Sequence, residues 1–364
     1  MKIIVLGTRG IPNILGGVET HCEELYPRIC KLGHDVTIIT RTPYVEDKTL
    51  LSYNGVKLKH IFAPKQKSIE AIAHTFLGIM YAGFKRPDVL HIHAVGPMIM
   101  TPLARLLGLK VVVTNHGPDY DRQKWGKLAK SILQLGEYLG TKTAHKVIVI
   151  SNVIRTILKT KYNRQDTTLI YNGVNKPELA IADDYITHLN LEKNKYIIAV
   201  GRFVEEKGFS DLIKAYSNIT TPYKLVLVGD ADHETVYSKH LKKEAVDAKV
   251  ILTGFIKGEQ LCQIFSHARL FVMPSYHEGL PIALLEAMSY NLDVLVSDIP
   301  ANIEVALDNK YYFNVGNIEA ITTSIINALE TPERSIDNSK LMHQKYNWDN
   351  IAKETIEVYT LLQS

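Results

Sequence analysis

Apolar runs of strand length alternate along this 364-residue chain with segments whose apolar residues recur at helical spacing. Such alternation is typical of parallel sheets, because parallel neighbours need a long crossover connection that is usually a helix. The length suits two domains of this kind. The sequence therefore predicts an α/β fold of two Rossmann-like parallel-sheet domains facing a central cleft, where ligands bind at the carboxyl ends of the strands.

The predicted elements form two series on either side of a polar stretch, residues 176–195. We place a domain boundary between residues 175 and 176. The first series has strands at 2–7, 35–40, 89–93, 110–114 and 146–151, with helices at 18–32, 68–84, 98–107 and 122–143. The second series has strands at 196–201, 224–229, 250–253, 270–273 and 293–297.

Charge is unevenly divided between the two halves. Residues 1–180 hold 25 basic and 13 acidic side chains, whereas the remainder holds 17 basic and 25 acidic ones. A half with a charge of +12 is expected to meet an anionic partner, either nucleic acid or a membrane surface. No nucleic-acid recognition motif accompanies the charge, so we expect no nucleic-acid partner.

Several features bear on cellular location. No apolar run reaches 18 residues, and the N-terminal apolar run lacks a small-residue cleavage site. The cysteines, Cys22, Cys30 and Cys262, are odd in number and lack metal-site spacing. These features favour a cytoplasmic protein.

The most informative segment is residues 273–288, in which a strand leads through a turn into a helix predicted to start near Pro281. Glu278 precedes the helix and Glu286 lies within it. Eight helical residues span about 12 Å, which is too far for an acid and a base acting on one bond. The two carboxylates suit two parts of one long ligand, and an ordinary strand–turn–helix unit with solvated acids is the alternative.

A second candidate site follows the strand at 196–201, where Gly201 and Arg202 precede Lys207 and Gly208. Two fixed cations near a helix start can neutralise a diphosphate leaving group. A solvated basic turn explains the same residues when they are considered alone.

The first half offers two further candidates. Gly16 and Gly17 open a helix after the first strand, which permits close approach of an anionic ligand, although a dinucleotide fingerprint is absent. His116 follows the strand at 110–114 and could contact a sugar hydroxyl or act as an acid or base. His91 and His93 lie on one side of their strand without a carboxylate companion, so we interpret them as structural rather than as metal ligands.

The segment from Arg122 to Lys146 combines lysines with Trp125 and several aliphatic residues. Such a basic amphipathic segment suits an anionic membrane surface. A helix packed on its sheet with a solvated basic face explains the residues equally well, and both interpretations assign the apolar residues to the sheet.

Taken together, these residues resemble the glycosyltransferase family 4 group of retaining sugar transferases with the GT-B fold. The resemblance covers nearly the whole chain and is most specific in its second half. The matching pieces are Gly16-Gly17-Val18-Glu19, His116-Gly117, Asn172-Gly173-Val174, Gly201-Arg202, Lys207-Gly208, Val228-Gly229-Asp230 and the pair Glu278 and Glu286. The opening Gly-Thr-Arg-Gly-Ile-Pro is similar to a subset that includes bacterial rhamnosyltransferases of surface polysaccharides.

The resemblance implies roles for individual residues. Arg202 and Lys207 would bind the donor diphosphate, Glu278 and His116 would contact the donor sugar, and Glu286 would hold the ribose. Residues 253–256 would hold the base. The resemblance also implies three parts: an acceptor-binding domain over 1–175, a nucleotide-sugar-binding domain over 176–347, and a closing helix over 348–364 that crosses back to the first. The further donor-binding residues are Gly16, Gly17, Gly229, Phe255, Ile256, Gly279, Leu280 and Pro281.

The implied activity is retaining transfer of a sugar from a UDP-, dTDP- or GDP-linked donor to a hydroxyl of a glycan. The acceptor would be lipid-linked and part of a bacterial surface polysaccharide such as O-antigen, capsule or exopolysaccharide. No cofactor or metal is expected, because fixed cations replace the metal. The localisation would be cytoplasmic, with association on the inner face of the membrane. A GT-B epimerase or phosphorylase and a non-catalytic nucleotide-sugar-binding protein are the alternatives.

Overall fold

The computed structural model describes residues 1–14, 16–64, 70–118, 120, 126–231, 234–331 and 338–363. The chain divides into two compact units. The first unit comprises Met1–Gly173 and Tyr346–Ser364, and the second comprises Val174–Lys345. Among the described residues, none of the helices is both long and apolar enough to cross a bilayer.

The first unit is built on an eight-stranded sheet with the order β3-β4-β2-β1-β5-β6-β7-β8, in which only the β3–β4 pair is antiparallel. Its strands are β1 Lys2–Leu6, β2 Asp35–Arg41, β3 Ser52–Tyr53, β4 Val56–Ile61, β5 Val89–His93, β6 Val111–Asn115, β7 Lys146–Val149 and β8 Thr167–Leu169. Its helices are α1 Gly17–Lys31, α2 Glu70–Lys85, α3 Thr101–Leu106, α4 Lys127–Thr143, α5 Asn152–Tyr162 and α14 Trp348–Thr360. The central strands are buried on both faces, as the continuous apolar runs predict.

The last helix, α14, completes the hydrophobic core of the first unit. It packs against α1, and Trp348 and Tyr359 are buried in a cluster that also contains residues of β1 and β2. Gly173 permits this packing, because a Cβ atom at that position would lie 2.5 Å from the Trp348 ring. The first unit is therefore built from both ends of the chain.

The second unit is built on a six-stranded parallel sheet with the order β11-β10-β9-β12-β13-β14. Its strands are β9 Tyr196–Val200, β10 Lys224–Val228, β11 Ile251–Leu252, β12 Leu270–Met273, β13 Asp293–Ser297 and β14 Tyr312–Phe313. Its helices are α6 Asp184–His188, α7 Phe209–Ser217, α8 Val236–Asp247, α9 Glu259–Ser266, α10 Ile282–Ser289, α11 Pro300–Ile303, α12 Ile318–Glu330 and α13 Ser339–Lys345. Two sheets of this kind confirm the predicted fold class.

The structure differs from the predicted elements in a few places. Strands β3, β4, β8 and β14 were not predicted; they lie at the ends of the sheets, and β3 and β14 have only two residues each. The predicted helix at 98–107 is a 3-10 turn, Pro97–Met100, followed by α3. The starts of the helices predicted from 68 and 122 lie outside the described residues.

Substituting Trp348 by alanine is expected to lower the free energy of unfolding of the first unit by about 3–5 kcal/mol, because the change leaves a cavity in its core. Leu361→Ala is the matched control, because Leu361 is exposed and a surface change stays within about 0.5 kcal/mol. Urea unfolding of both variants measures the difference. Equal stability of the two variants would show that α14 is not part of the core.

Candidate functional site

In each sheet the strand order reverses between two central strands, and several candidate site residues lie in the loops at these reversals. In the second unit the chain runs from β9 outward to β10 and β11, and then places β12, β13 and β14 on the other side of β9. The loops after β9 and β12 therefore leave in opposite directions, which opens a crevice at the carboxyl ends of these strands. Residues 201–208 and 274–281 form these two loops.

Two glycines bring the loops of the second unit close together. Gly208 has φ +67°, and a Cβ atom there would lie 2.2 Å from the carbonyl oxygen of Pro274. Gly229, at the end of β10, has φ +127°, and its Cβ would lie 2.1 Å from the carbonyl oxygen of Gly201. Any larger residue would push these loops apart.

Lys207 and Glu278 form an ion pair within this crevice. The Lys207 Nζ atom lies 2.6 Å from Glu278 Oε1, and the two side chains are only 19% and 9% exposed. Ser275 donates a second hydrogen bond to the same Oε1 at 2.7 Å. A short, charge-assisted contact of this kind fixes the position of both charges. The ammonium group retains further donors that can bind a second anion.

Most of the other predicted donor-binding residues of the second unit lie in the loops that follow β9, β10, β11 and β12. Arg202 is partly exposed in the loop after β9. Phe255 is exposed and Ile256 is buried in the loop after β11, which a Gly229–Gly254 backbone bridge joins to the end of β10. Gly279, Leu280 and Pro281 form the turn before α10.

The structure corrects the predicted relation between the two glutamates. Pro281 is the N-cap of α10, not its first helical residue, and Glu278 lies in the preceding loop. The estimate of about 12 Å assumed eight helical residues and therefore does not apply. Glu286 lies inside α10, where burial raises the pKa of its carboxyl group to about 7. Near neutral pH this carboxyl group can both donate and accept a hydrogen bond.

In the first unit the strand order reverses between β1 and β5. Gly16 is the N-cap of α1, with φ 146°, and Gly17 is the first helical residue. Glu19 reaches back from α1 to accept hydrogen bonds from the Arg9 amide at 2.9 Å and from Thr8 Oγ1 at 3.4 Å. These contacts fix the loop between β1 and the exposed start of α1.

Four histidines meet beside this reversal: His21, His91, His93 and His116. His91 and His93 are fully buried, with ring centroids 4.2 Å apart, so they lie on one side of β5 as their spacing predicts. His93 Nδ1 lies 2.9 Å from Nε2 of His116, which is partly exposed directly after β6. Burial lowers the pKa of His21 to about 4 and holds those of the other three well below their usual range, so all four rings are neutral at pH 7.

A buried carboxylate, that of Glu137, fixes the residues next to His116. Glu137 on α4 accepts hydrogen bonds from Asn115 Nδ2 at 2.9 Å, Tyr120 OH at 2.8 Å and Tyr162 OH at 2.9 Å. Asn115 in turn accepts a hydrogen bond from the Gly117 amide at 2.8 Å. His116 therefore sits between two anchored neighbours.

Of the apolar residues that were expected to serve the sheet, Leu135 on α4 is exposed, whereas Ile132, Leu133 and Leu139 are half-buried. The buried face of α4 carries glycines, which allow a close approach of neighbouring backbone and side chains. A Cβ atom at Gly136 would lie 2.2 Å from the carbonyl oxygen of Val95, and one at Gly140 would lie 2.6 Å from Met98 Cβ. The exposed apolar residues of α4 are Leu128, Leu135 and Tyr138. Arg122, Lys124 and Trp125 lie outside the described residues.

Comparison with known proteins identifies the chemistry. The family model for glycosyltransferase family 4 matches residues 15–176, and that for glycosyl transferases group 1 matches residues 183–347. The protein is a glycosyltransferase. It carries a family 4 domain followed by a group 1 domain, and the prediction of a transferase is confirmed.

Several relatives and solved structures align with nearly the whole of this chain. An uncharacterized glycosyltransferase of Methanocaldococcus jannaschii is 26% identical, over 99% of this chain and 98% of its own length. The O-antigen chain mannosyltransferase B of Escherichia coli is 24% identical and aligns along the full length of both chains. The crystal structure of Anabaena HepE in complex with UDP-glucose has a TM-score of 0.81, with 18% identity and 99% of each chain covered. The fold is thus the GT-B fold.

Several residues that contact His116 or its direct neighbours carry no functional signal in the sequence. His21 looks like one polar residue of an amphipathic helix, and its partner Asn172 is 151 residues away. Tyr26 and Glu137 likewise sit inside helices far along the chain from their partners. Asn172 belongs to the motif Asn172-Gly173-Val174, but this motif alone does not indicate a contact with a histidine.

Removing one partner of the Lys207–Glu278 pair is expected to destabilise the second unit. Lys207→Met leaves Glu278 as a nearly buried charge without its cation, which costs about 3–5 kcal/mol. Lys207→Met combined with Glu278→Gln should recover most of this loss in urea unfolding. The control is Lys239→Met, whose exposed partner Glu234 makes the change worth less than about 1 kcal/mol. A loss of the same size in Lys239→Met would refute the distinction.

The raised pKa of Glu286 predicts a pH-dependent stability. Between its ordinary value of 4.5 and about 7, the unfolded chain ionises Glu286 before the folded chain does. Stability is therefore lost as pH rises through this window, by up to about 3 kcal/mol. Glu286→Gln should be more stable than the parent chain at about pH 8 and no more stable below pH 4.5. The exposed Glu330→Gln should show no such difference in urea unfolding, and a flat profile for Glu286→Gln would contradict the assignment.

Proposed function

We propose that this glycosyltransferase moves a sugar, with retention of configuration, from a nucleoside-diphosphate donor to a hydroxyl of a lipid-linked glycan. The observation that carries the proposal is the Lys207–Glu278 ion pair in the crevice after β9 and β12. It supplies a fixed cation and a fixed carboxylate at the place where parallel sheets bind ligands. The homologue named for O-antigen mannosyl transfer supports a surface-polysaccharide acceptor.

The cations of the second unit stabilise the leaving group in this proposal. As the bond between the sugar C1 and the phosphate oxygen breaks, negative charge develops on the diphosphate. Lys207 and Arg202 offer positive charge there, and the α10 N-terminus adds a partial positive charge. Because these fixed charges do the work of a divalent ion, transfer needs no metal.

The carboxylates and His116 orient the donor. We assign Glu278 to the transferred sugar and Glu286 to the ribose hydroxyls, with the loop of Phe255 and Ile256 beside the base. Glu286 suits its role because a carboxyl group with a pKa near 7 can pair with a hydroxyl in either protonation state. To His116 we assign a contact with the sugar, made by a neutral ring. Gly16 and Gly17 leave room for donor groups at the start of α1.

Retention follows from attack on the face that the leaving group departs from. The acceptor oxygen forms its bond to C1 as the C1–phosphate bond breaks, and the acceptor proton passes to a phosphate oxygen of the leaving diphosphate. The nucleotide part of the donor is UDP, dTDP or GDP, and a UDP-glucose complex of the structural neighbour supports this class of donor. The opening Gly-Thr-Arg-Gly-Ile-Pro favours rhamnosyl transfer within that class.

Thermal-shift screening of nucleoside diphosphates, followed by nucleotide sugars, tests the proposal. A matching ligand at about 100 times its Kd stabilises the chain by about 2.7 kcal/mol. Lys207→Met and Arg202→Met should lose most of the shift given by a diphosphate while keeping that of the nucleoside. Glu278→Gln should lower turnover of the matched nucleotide sugar at least 100-fold while remaining folded. Near-normal turnover in Lys207→Met or Glu278→Gln would contradict the roles assigned.

We further propose that the first unit docks on the anionic inner face of the cytoplasmic membrane, where a lipid-linked acceptor is found. Helices α2, α3 and α4 pack side by side. They present strongly exposed apolar side chains, among them Phe84, Leu106 and Leu128 at 82%, 85% and 77% exposure. Within these three fully described helices the acidic residues are Glu70 and Glu137, and both are buried and hydrogen-bonded. Their basic residues are Lys85, Arg105, Lys127, Lys130 and Lys142.

Co-sedimentation with vesicles tests this surface. The parent chain should bind vesicles that contain anionic lipid and not neutral ones, because each basic residue near the surface contributes about 1 kcal/mol. Phe84→Ser with Leu106→Ser should weaken binding at least tenfold, whereas Val246→Ser, which changes a strongly exposed apolar residue of the second unit, should not. Negligible binding to both kinds of vesicle, or equal binding to both, would remove the proposal.

A further inference from the structure

The histidine cluster of the first unit contains more than the proposed transfer uses. His21, His93 and His116 each offer one ring nitrogen, and these nitrogens lie within 4.8 Å of one another. The three residues come from α1, the end of β5 and the position directly after β6. The proposed reaction assigns a role to His116 alone, so the convergence of the other two rings calls for a separate explanation.

The outer nitrogens of two of these rings already have partners. His21 Nδ1 lies 2.7 Å from Asn172 Oδ1; because an amide oxygen only accepts, Nδ1 carries the proton and Nε2 keeps a lone pair. His93 Nε2 lies 2.5 Å from the Tyr26 hydroxyl, while its Nδ1 faces His116 Nε2. Metal-bound histidines commonly use the non-coordinating nitrogen in this way, which fixes the ring and its tautomer.

We propose that His21, His93 and His116 together bind one divalent transition-metal ion, for which zinc is the best match. Imidazole nitrogen is a preferred ligand of zinc, and three protein ligands leave a fourth position open. The three rings bind as neutral imidazoles, each giving one lone pair and keeping one N–H, so binding releases no proton from them. With His93 protonated on Nε2, toward Tyr26, His116 donates from its Nε2 to His93 Nδ1, and on metal binding this proton moves to the outer nitrogen, Nδ1, of His116.

The geometry requires only a small adjustment. Zinc–nitrogen bonds of about 2.0–2.1 Å place tetrahedral nitrogens about 3.3 Å apart. The 2.9 Å separation of His93 Nδ1 and His116 Nε2 is already close to this value. The remaining nitrogens lie within 4.8 Å of one another, so the wider gaps must shorten by rotation of a ring, and His116, which is partly exposed, has the most room to turn.

A bound ion would occupy the nitrogen of His116 that faces the cluster and fix its ring. Metal binding would then hinder the contact with the donor sugar, so zinc is expected to inhibit transfer. This consequence rests on the proposed function, whereas the metal site does not.

The direct test titrates the full chain, without an affinity tag and after chelator treatment, with Co²⁺. We expect the visible absorption of four-coordinate cobalt to saturate at one ion per chain, and Zn²⁺ to displace it while Mg²⁺ does not. His21→Gln and His93→Gln should each weaken Co²⁺ binding at least tenfold. His145→Gln is the control, because His145 lies in the same unit but bonds the Val111 amide instead.

X-ray absorption on the zinc complex of the parent chain counts the imidazole ligands even if a variant fails to fold, and three are expected. Absence of saturable one-to-one binding, equal affinity of His21→Gln, His93→Gln and His145→Gln, or fewer than three imidazole ligands would overturn the site. A chain that binds metal but transfers no sugar even when metal-free would contradict the proposed function instead, and a chain that transfers sugar but binds no metal would contradict only the metal site.

Discussion

The Lys207–Glu278 ion pair is the interaction on which the second unit's site depends. It joins the loop after β9 to the loop after β12, with both charges largely withdrawn from water. Charges held in this way are already oriented before a ligand arrives, which is the condition for effective stabilisation of a leaving group. Gly208 makes the pair possible, because its lack of a side chain lets the two loops touch. The position of the two charges thus depends directly on the absence of a side chain at Gly208.

The strand order explains why both units place reactive side chains at the same topological position. In each sheet the reversal lies between two central strands, β1 and β5 in one and β9 and β12 in the other. Polar side chains lie at or near each reversal: His93 at the end of β5 and Glu19 in the first turn of α1 in the first unit, and Lys207 and Glu278 in the two loops of the second. Burial then acts differently on the two sites. It keeps the histidines neutral in the first and holds Glu286 partly protonated in the second.

The sequence predicted the buried parallel strands because a strand covered on both faces leaves a continuous apolar run, as in β1, β12 and β13. It missed β4, although Val-Lys-Leu-Lys alternates with the period of a half-exposed strand, and it missed the two-residue β14, which tertiary pairing alone creates. The loop motifs around Arg202, Lys207 and Glu278 were visible because they are local in sequence. The contacts around His116 were not visible, because His21 meets its ring from α1, Glu137 accepts a hydrogen bond from the neighbouring Asn115, and Asn172 bonds His21 from a distant segment. The resemblance to family 4 identified His116 as a candidate, but it did not identify the hydrogen bonds and ring contacts that hold His116 in place.

A crystal structure of the chain with the nucleoside diphosphate that stabilises it most is the most direct measurement of the central claim. The account predicts that diphosphate oxygens lie within hydrogen-bond distance of Lys207 Nζ and the Arg202 guanidinium, beside the start of α10. A diphosphate bound elsewhere, with Lys207 still engaged by Glu278 alone, would contradict it.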